Sequence, residues 1–196
     1  TLPMALSIVG IAIFAIFAAK VMSIIGRRAG FMFASLVSSL SSVLAAYSII
    51  IESFILFNFS CFLLGAGVAF SHQYRFAAVE TVKKDMAPKA ISIILLAGIG
   101  SAFIGPNVAN ITKGFIAEHL YAGSYIALAA LTLTSTIFLL FYEDGHKPNH
   151  VNKKIKRSYL ELISQPRFLQ ALVASAFAYA VMSFLMTATP ISMHVM

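Results

Sequence analysis

Six long apolar runs constrain this chain more than any other feature. They cover about Pro3–Ile25, Gly30–Ile51, Ser53–Ser71, Ala90–Ile111, Tyr121–Tyr142 and Phe168–Met193. No Asp or Glu lies inside any of them. Each is long enough to cross a bilayer, for which a helix needs ~20 apolar residues. Transmembrane strands alternate polar and apolar residues and last only ~9–11 residues, so strands are excluded. In lipid each backbone N–H and C=O must be satisfied within its own segment, which leaves helices. Composition agrees: the chain is 60% hydrophobic and 11% charged, with a mean hydropathy of +0.90. Soluble domains are roughly 45–50% apolar and ~25% charged. The expected fold is an all-α integral membrane protein, a polytopic bundle of transmembrane helices.

The charges orient the bundle. Of 14 Lys and Arg, all but Lys113 fall in or beside the first, third and fifth connections, which must share one side of the membrane. Basic residues stay cytoplasmic, so that side is assigned to the cytoplasm and the first span runs inward. The net charge of +7 therefore belongs at a membrane surface and calls for no nucleic-acid partner. A chain that starts outside without a signal peptide leads us to expect a further helix before Thr1. The six spans would then be the second to seventh of a longer protein. The longest connection, polar and containing Gly145 and Pro148, reads as a linker between bundles. The domains expected are residues 1–142, five spans of an N-terminal bundle lacking its first helix; 143–167, a cytoplasmic linker; and 168–196, the first helix of a second bundle.

The single cysteine, Cys61, sits in an apolar run and can form no intrachain disulfide. No P-loop, G-x-S-x-G elbow or metal-ligand spacing occurs. His146 and His150 are four apart, but in a Gly/Pro-containing loop without a supporting ligand set. Neither an enzyme, a cofactor nor a metal site is therefore expected.

The turn "SIIGRRAGF" places Gly26, Arg27 and Arg28 between the first two spans. Gly permits a tight reversal, and arginines anchor to an anionic membrane surface. That anchor alone would explain the turn. Together with the long basic loop after the fifth span, however, the turn resembles the major facilitator superfamily of secondary transporters. The family signature there is G-x-x-x-D-R-x-G-R-R. Gly26, Arg27 and Arg28 match its second half, whereas Ala19, Ser23 and Ile24 replace the first Gly, the Asp and the first Arg. The acidic partner is thus gone. The fourth span carries Ala97, Ser101, Gly105 and Ala109 at steps of four, a face small enough for close packing, with Pro106 to bend it. Gly105-Pro106 are similar to the antiporter pattern G-x-x-x-G-P-x-x-G-G, in which Ser101, Ala109 and Asn110 replace glycines. Generic helix packing would give the same face, and antiport is not read from it. Gly65-x-Gly67 resembles the Gly-rich part of the family's fourth helix, and the "MTATP" ending resembles a bacterial subgroup's seventh helix.

The resemblance implies a transporter that moves a small-molecule substrate by alternating access, in a bacterial cytoplasmic (inner) membrane. Its partners would be the lipid bilayer and that substrate, with a coupling proton or ion left open. The alternative is a membrane-embedded subunit of an enzyme or assembly with no transport activity. Carboxylates are the usual intramembrane proton relays. None lies inside a span, so any coupling acid is expected in segments outside this chain, unless His72 or Glu80 at the inner end of the third span serves. Asn58, Asn107, Asn110, Thr187 and Thr189 are candidate cavity groups, each equally able to form an interhelical hydrogen bond. On the cytoplasmic side, Arg75 and Glu80 fall near the hairpin, and Glu80 is expected to pair with Arg27 or Arg28 as a gate.

Overall fold

The computed structural model describes residues 2–142 and 164–195. Every regular element among them is helical: α1 (Leu2–Ile25), α2 (Arg27–Ile50), α3 (Phe54–Ser71), α4 (Tyr74–Thr81), a 3-10 turn (Lys84–Met86), α5 (Ala87–Thr112), α6 (Ala122–Leu140) and α7 (Pro166–Val195). Helices α1 to α6 belong to one compact unit and α7 to a second. Among the described residues, six helical stretches are long and apolar enough to cross a membrane, one of them running from α3 through α4.

Local chemistry explains the boundaries. A single residue, Gly26, separates α1 from α2, with φ 88° and ψ 164°. That region is open only to glycine, so the two helices can reverse with no loop at all. Between α2 and α3, Glu52 takes φ 55° and Ser53 caps α3, its side chain accepting from the Leu56 N–H at 3.4 Å. Pro88 stands in the first turn of α5, where a missing N–H breaks no helical bond. The α5–α6 connection closes on Tyr121, whose N–H donates to the Lys113 carbonyl at 3.0 Å while its own backbone is left-handed at φ 73°.

Within the first unit, α3 packs along α1 and α2, and α2 along α6; the main contacts of α5 are with α4, the 3-10 turn and α6. Glycine allows a close backbone approach between α1 and α3. A methyl group on Gly10 would strike the Phe62 carbonyl, and one on Gly65 would strike the Ser7 carbonyl and the Ile11 nitrogen. On the outside, large apolar residues such as Ile16, Ile24, Ile55 and Phe141 are mostly exposed. In water that would be unstable; in lipid these side chains are in their own solvent.

Two sequence expectations change. The α2 helix begins at Arg27 rather than Gly30, so the arginines open the helix instead of preceding it. Residues 74–81, read as loop, form α4. The cause is packing: Tyr74 stacks on Phe31 with ring centroids 4.2 Å apart, and Ala77 is buried against the same cluster. The linker segment 143–163, with His146 and His150, lies outside the described residues.

Candidate functional site

The hairpin end of the first unit assembles a charged layer over an aromatic one. Phe31, one turn into α2, is almost fully buried. Tyr74 stacks on it, and Tyr142 meets it edge-on at 6.4 Å. Ala18 and Met22 of α1, Phe70 of α3, Ala77 of α4 and Leu139 of α6 complete the cluster. The cluster thus joins α2 to four other helices beneath the hairpin.

Above this layer, the two arginines part. Arg27 and Glu80 form a two-pronged pair, Nε donating to Oε2 and Nη2 to Oε1, both at 2.5 Å. The guanidinium is largely shielded and the carboxylate about half exposed, at 22% and 53% of their side-chain surfaces. Planar two-point pairing is what a guanidinium offers a carboxylate and a lysine cannot. Arg28 goes elsewhere: its Nη2 donates to the Leu140 carbonyl at the end of α6, at 2.5 Å. Arg75 is exposed on α4 and makes no hydrogen bond or ion pair among the described residues. Ser23, at the position of the family's aspartate, donates its hydroxyl to the Lys20 carbonyl of its own helix at 2.7 Å. The sequence left open which arginine meets Glu80; the geometry selects Arg27.

The small-residue face of α5 has a different fate. Ala97, Ser101 and Gly105 are exposed within this unit, and a methyl group on Gly105 would meet nothing within 4 Å. Only the far end is engaged, where Ser124 of α6 donates to the Ala109 carbonyl at 2.7 Å. Pro106 lies inside α5, which runs unbroken from Ala87 to Thr112. Having no N–H, it frees the Ala102 carbonyl of the preceding turn. Beside it, Gly105 and Ala109 help line a cavity of about 590 Å³ with Ile49, Phe57, Val108 and Tyr125. Phe57 and Tyr125 meet there edge to face at 5.7 Å.

The cavity draws in none of the three asparagines. Asn107 and Asn110 are exposed, and the Asn107 amide donates to the Phe103 carbonyl of its own helix at 2.8 Å. Asn58 is buried, with its amide on the Phe54 carbonyl at 2.8 Å and its Oδ1 without a hydrogen-bond partner among the described residues. Thr187 and Thr189 fall within α7, and their side chains lie outside the described residues.

A second polar cluster was missed from the sequence. Ser35 of α2 donates to the Thr132 carbonyl of α6 at 2.5 Å and lies 2.9 Å from Ser135 Oγ and 2.7 Å from Thr136 Oγ1. One turn on, Ser39 donates to the Ala129 carbonyl at 3.3 Å. The available signal was the density of serines in "SLVSSLSS", with Ser35 and Ser39 four apart on one helix face.

Comparison with known proteins supplies the context for this architecture. The family model described as Major Facilitator Superfamily matches residues 1–196. The riboflavin transporter RfnT of Brucella anthropi is 33% identical over 195 residues, covering 98% of this chain and 49% of RfnT. Two uncharacterized MFS-type transporters of Bacillus subtilis are also similar. YddS is 29% identical over 145 residues (72% of this chain, 33% of YddS), and YdeG is 28% identical over 141 (70% of this chain, 33% of YdeG). The chain therefore spans about half the length of RfnT and a third of the other two. No solved structure matches it. With a match from its first residue to its last and six membrane-length helices to carry it, this integral membrane protein belongs to the major facilitator superfamily.

Proposed function

We propose that this chain is part of a secondary transporter that carries a small solute across a bacterial cytoplasmic membrane by alternating access. The observation that carries the proposal is the end-to-end family match, made by a chain whose apolar helices leave no soluble domain among the described residues. RfnT is named as a riboflavin transporter, so riboflavin is the first solute to test. The hairpin end faces the cytoplasm in this reading, because it carries Arg27, Arg28, Arg75, Lys83 and Lys89, whereas Lys113 lies at the other end of α5.

In this reading the Arg27–Glu80 pair serves the cytoplasmic gate from inside one bundle. Both residues belong to the same compact unit, so their bond holds α4 to α2 and keeps the cytoplasmic end of the bundle in one shape as it rocks. A partly exposed pair of this kind is worth only ~0–1 kcal/mol. A bond kept in both access states favours neither, so its loss would act by loosening the cytoplasmic end of the bundle.

The test is uptake of labelled riboflavin into proteoliposomes containing the full-length protein. Saturable uptake is expected, and uptake no greater than in empty liposomes would remove riboflavin as the solute. For whichever solute is carried, Arg27→Gln and Glu80→Gln should each slow transport several-fold, and the double variant should be no slower than the slower single one. Strictly multiplicative losses would show that the two residues act independently.

A further inference from the structure

Two arginines open α2, with no acidic residue in its first turn and only glycine at the N-cap. A helix N-terminus carries partial positive charge, so both cations stand at the wrong end of their helix. The structure resolves the conflict differently for each. Arg27 has the Glu80 carboxylate. Arg28 reaches the negative end of another helix, donating to the Leu140 carbonyl across 112 residues of sequence. The last turn of α6 contains no basic residue of its own. Its final carbonyls divide the available donors: the Phe141 N–H takes Phe138 at 3.1 Å and the Tyr142 N–H takes Leu139 at 3.2 Å. The Leu140 carbonyl receives the guanidinium.

We propose that Arg28 is the C-cap of α6, a positioning residue that supplies from the α1–α2 hairpin the cation which the end of α6 lacks. The geometry has the three parts such a cap needs. A charged donor meets a terminal carbonyl, the field of the helix end favours the charge, and the junction is braced against sliding by Tyr142 packed edge-on to Phe31. The hairpin then ties α2 to α4 through Arg27 and to α6 through Arg28. The adjacent arginines are therefore not interchangeable copies of one membrane anchor. The role is separate from the proposed transport function, since it concerns how the bundle is held together whatever solute it carries.

Backbone amide hydrogen exchange on the full-length protein in detergent tests this. Arg28→Gln should speed exchange of the amides of residues 138–142 about tenfold, the scale of losing a charge-assisted hydrogen bond at a helix end. Exchange in 74–81 should stay unchanged. Arg27→Gln should do the reverse, freeing 74–81 and leaving 138–142 protected. Arg28→Lys keeps a cation within reach of the same carbonyl and should restore most of the protection. The proposal is overturned if Arg28→Gln leaves 138–142 as protected as before. It is equally overturned if both variants loosen the same segment, as two equivalent surface anchors would.

Discussion

Helices α2 and α5 are close in length, at 24 and 26 residues, and both repeat small side chains every fourth position. In α2 the series is Gly30, Ala34, Ser38, Ser42 and Ala46; in α5 it is Ala97, Ser101, Gly105 and Ala109. Yet α2 buries ten residues and α5 only Thr112. Small residues let two helices approach but do not pull them together, since lipid is as apolar as the side chains it replaces. What α2 has, and α5 lacks within this unit, is complementary surface on its neighbours. Gly67 of α3 leaves room for Ser38, and a methyl group on Gly67 would collide with the Ser38 hydroxyl. On the other flank, Thr132, Ser135 and Thr136 of α6 converge on Ser35. The Ser101 hydroxyl of α5 instead turns back to the Gly98 carbonyl of its own helix at 2.7 Å.

The largest effect that could break this comparison comes from glycine. Gly67→Leu should prevent folding, because the added atoms meet a packed helix and overpacking costs ~1–3 kcal/mol or more. Gly105→Leu should leave a monodisperse protein with a melting temperature near wild type, since its added atoms enter open space. Size-exclusion profiles and thermal melts in detergent read both. If Gly105→Leu collapses as Gly67→Leu does, the α5 face is covered by a helix outside the first unit and the contrast with α2 disappears.

Hydroxyl groups sharpen it at a smaller scale. Ser35→Ala removes hydrogen bonds between α2 and α6 and should lower stability by about 1 kcal/mol. Ser101→Ala removes a bond only within α5 and should change stability by less than ~0.5 kcal/mol. Equal losses in the two variants would show that the α2–α6 cluster adds nothing beyond helix-local bonding.

The smallest expected stability change is at Asn58, whose Oδ1 is buried without a partner. Replacing such a group by an apolar one of similar size is nearly neutral or stabilising. Asn58→Leu should therefore melt within ~0.5 kcal/mol of wild type. A loss of 2 kcal/mol or more would mean that Oδ1 has a donor, such as a bound water, that the protein atoms alone do not provide.

Much of the fold was legible from particular residues. Gly26 marked the first reversal, and its φ of 88° shows why no other residue serves there. The third apolar run begins at Ser53, which caps the helix that follows. The segment 74–81 was not legible as a helix, because it sits in a charged connection between two apolar runs, and what it packs against is Phe31, more than forty residues upstream. The hairpin site was half legible. Glu80 could be expected to pair with one of the two arginines, but which one was not legible. The Ser35 cluster was overlooked because hydroxyls in apolar helices look like filler until the facing helix is known.

By itself the sequence determined that this chain spans a membrane, as helices, and led us to expect most of its basic residues at one end. Those properties follow from rules that act within a segment: in lipid the backbone must satisfy itself, and charge must stay near water. Tertiary structure alone decided that Arg27 meets Glu80 while Arg28 meets the end of α6, and that α2 is enclosed while α5 is left open. Those choices join residues 53 and 112 positions apart, and depend on which helix faces which. No pattern within one helix contains that information, because the same spacing of small residues serves a buried face and an exposed one.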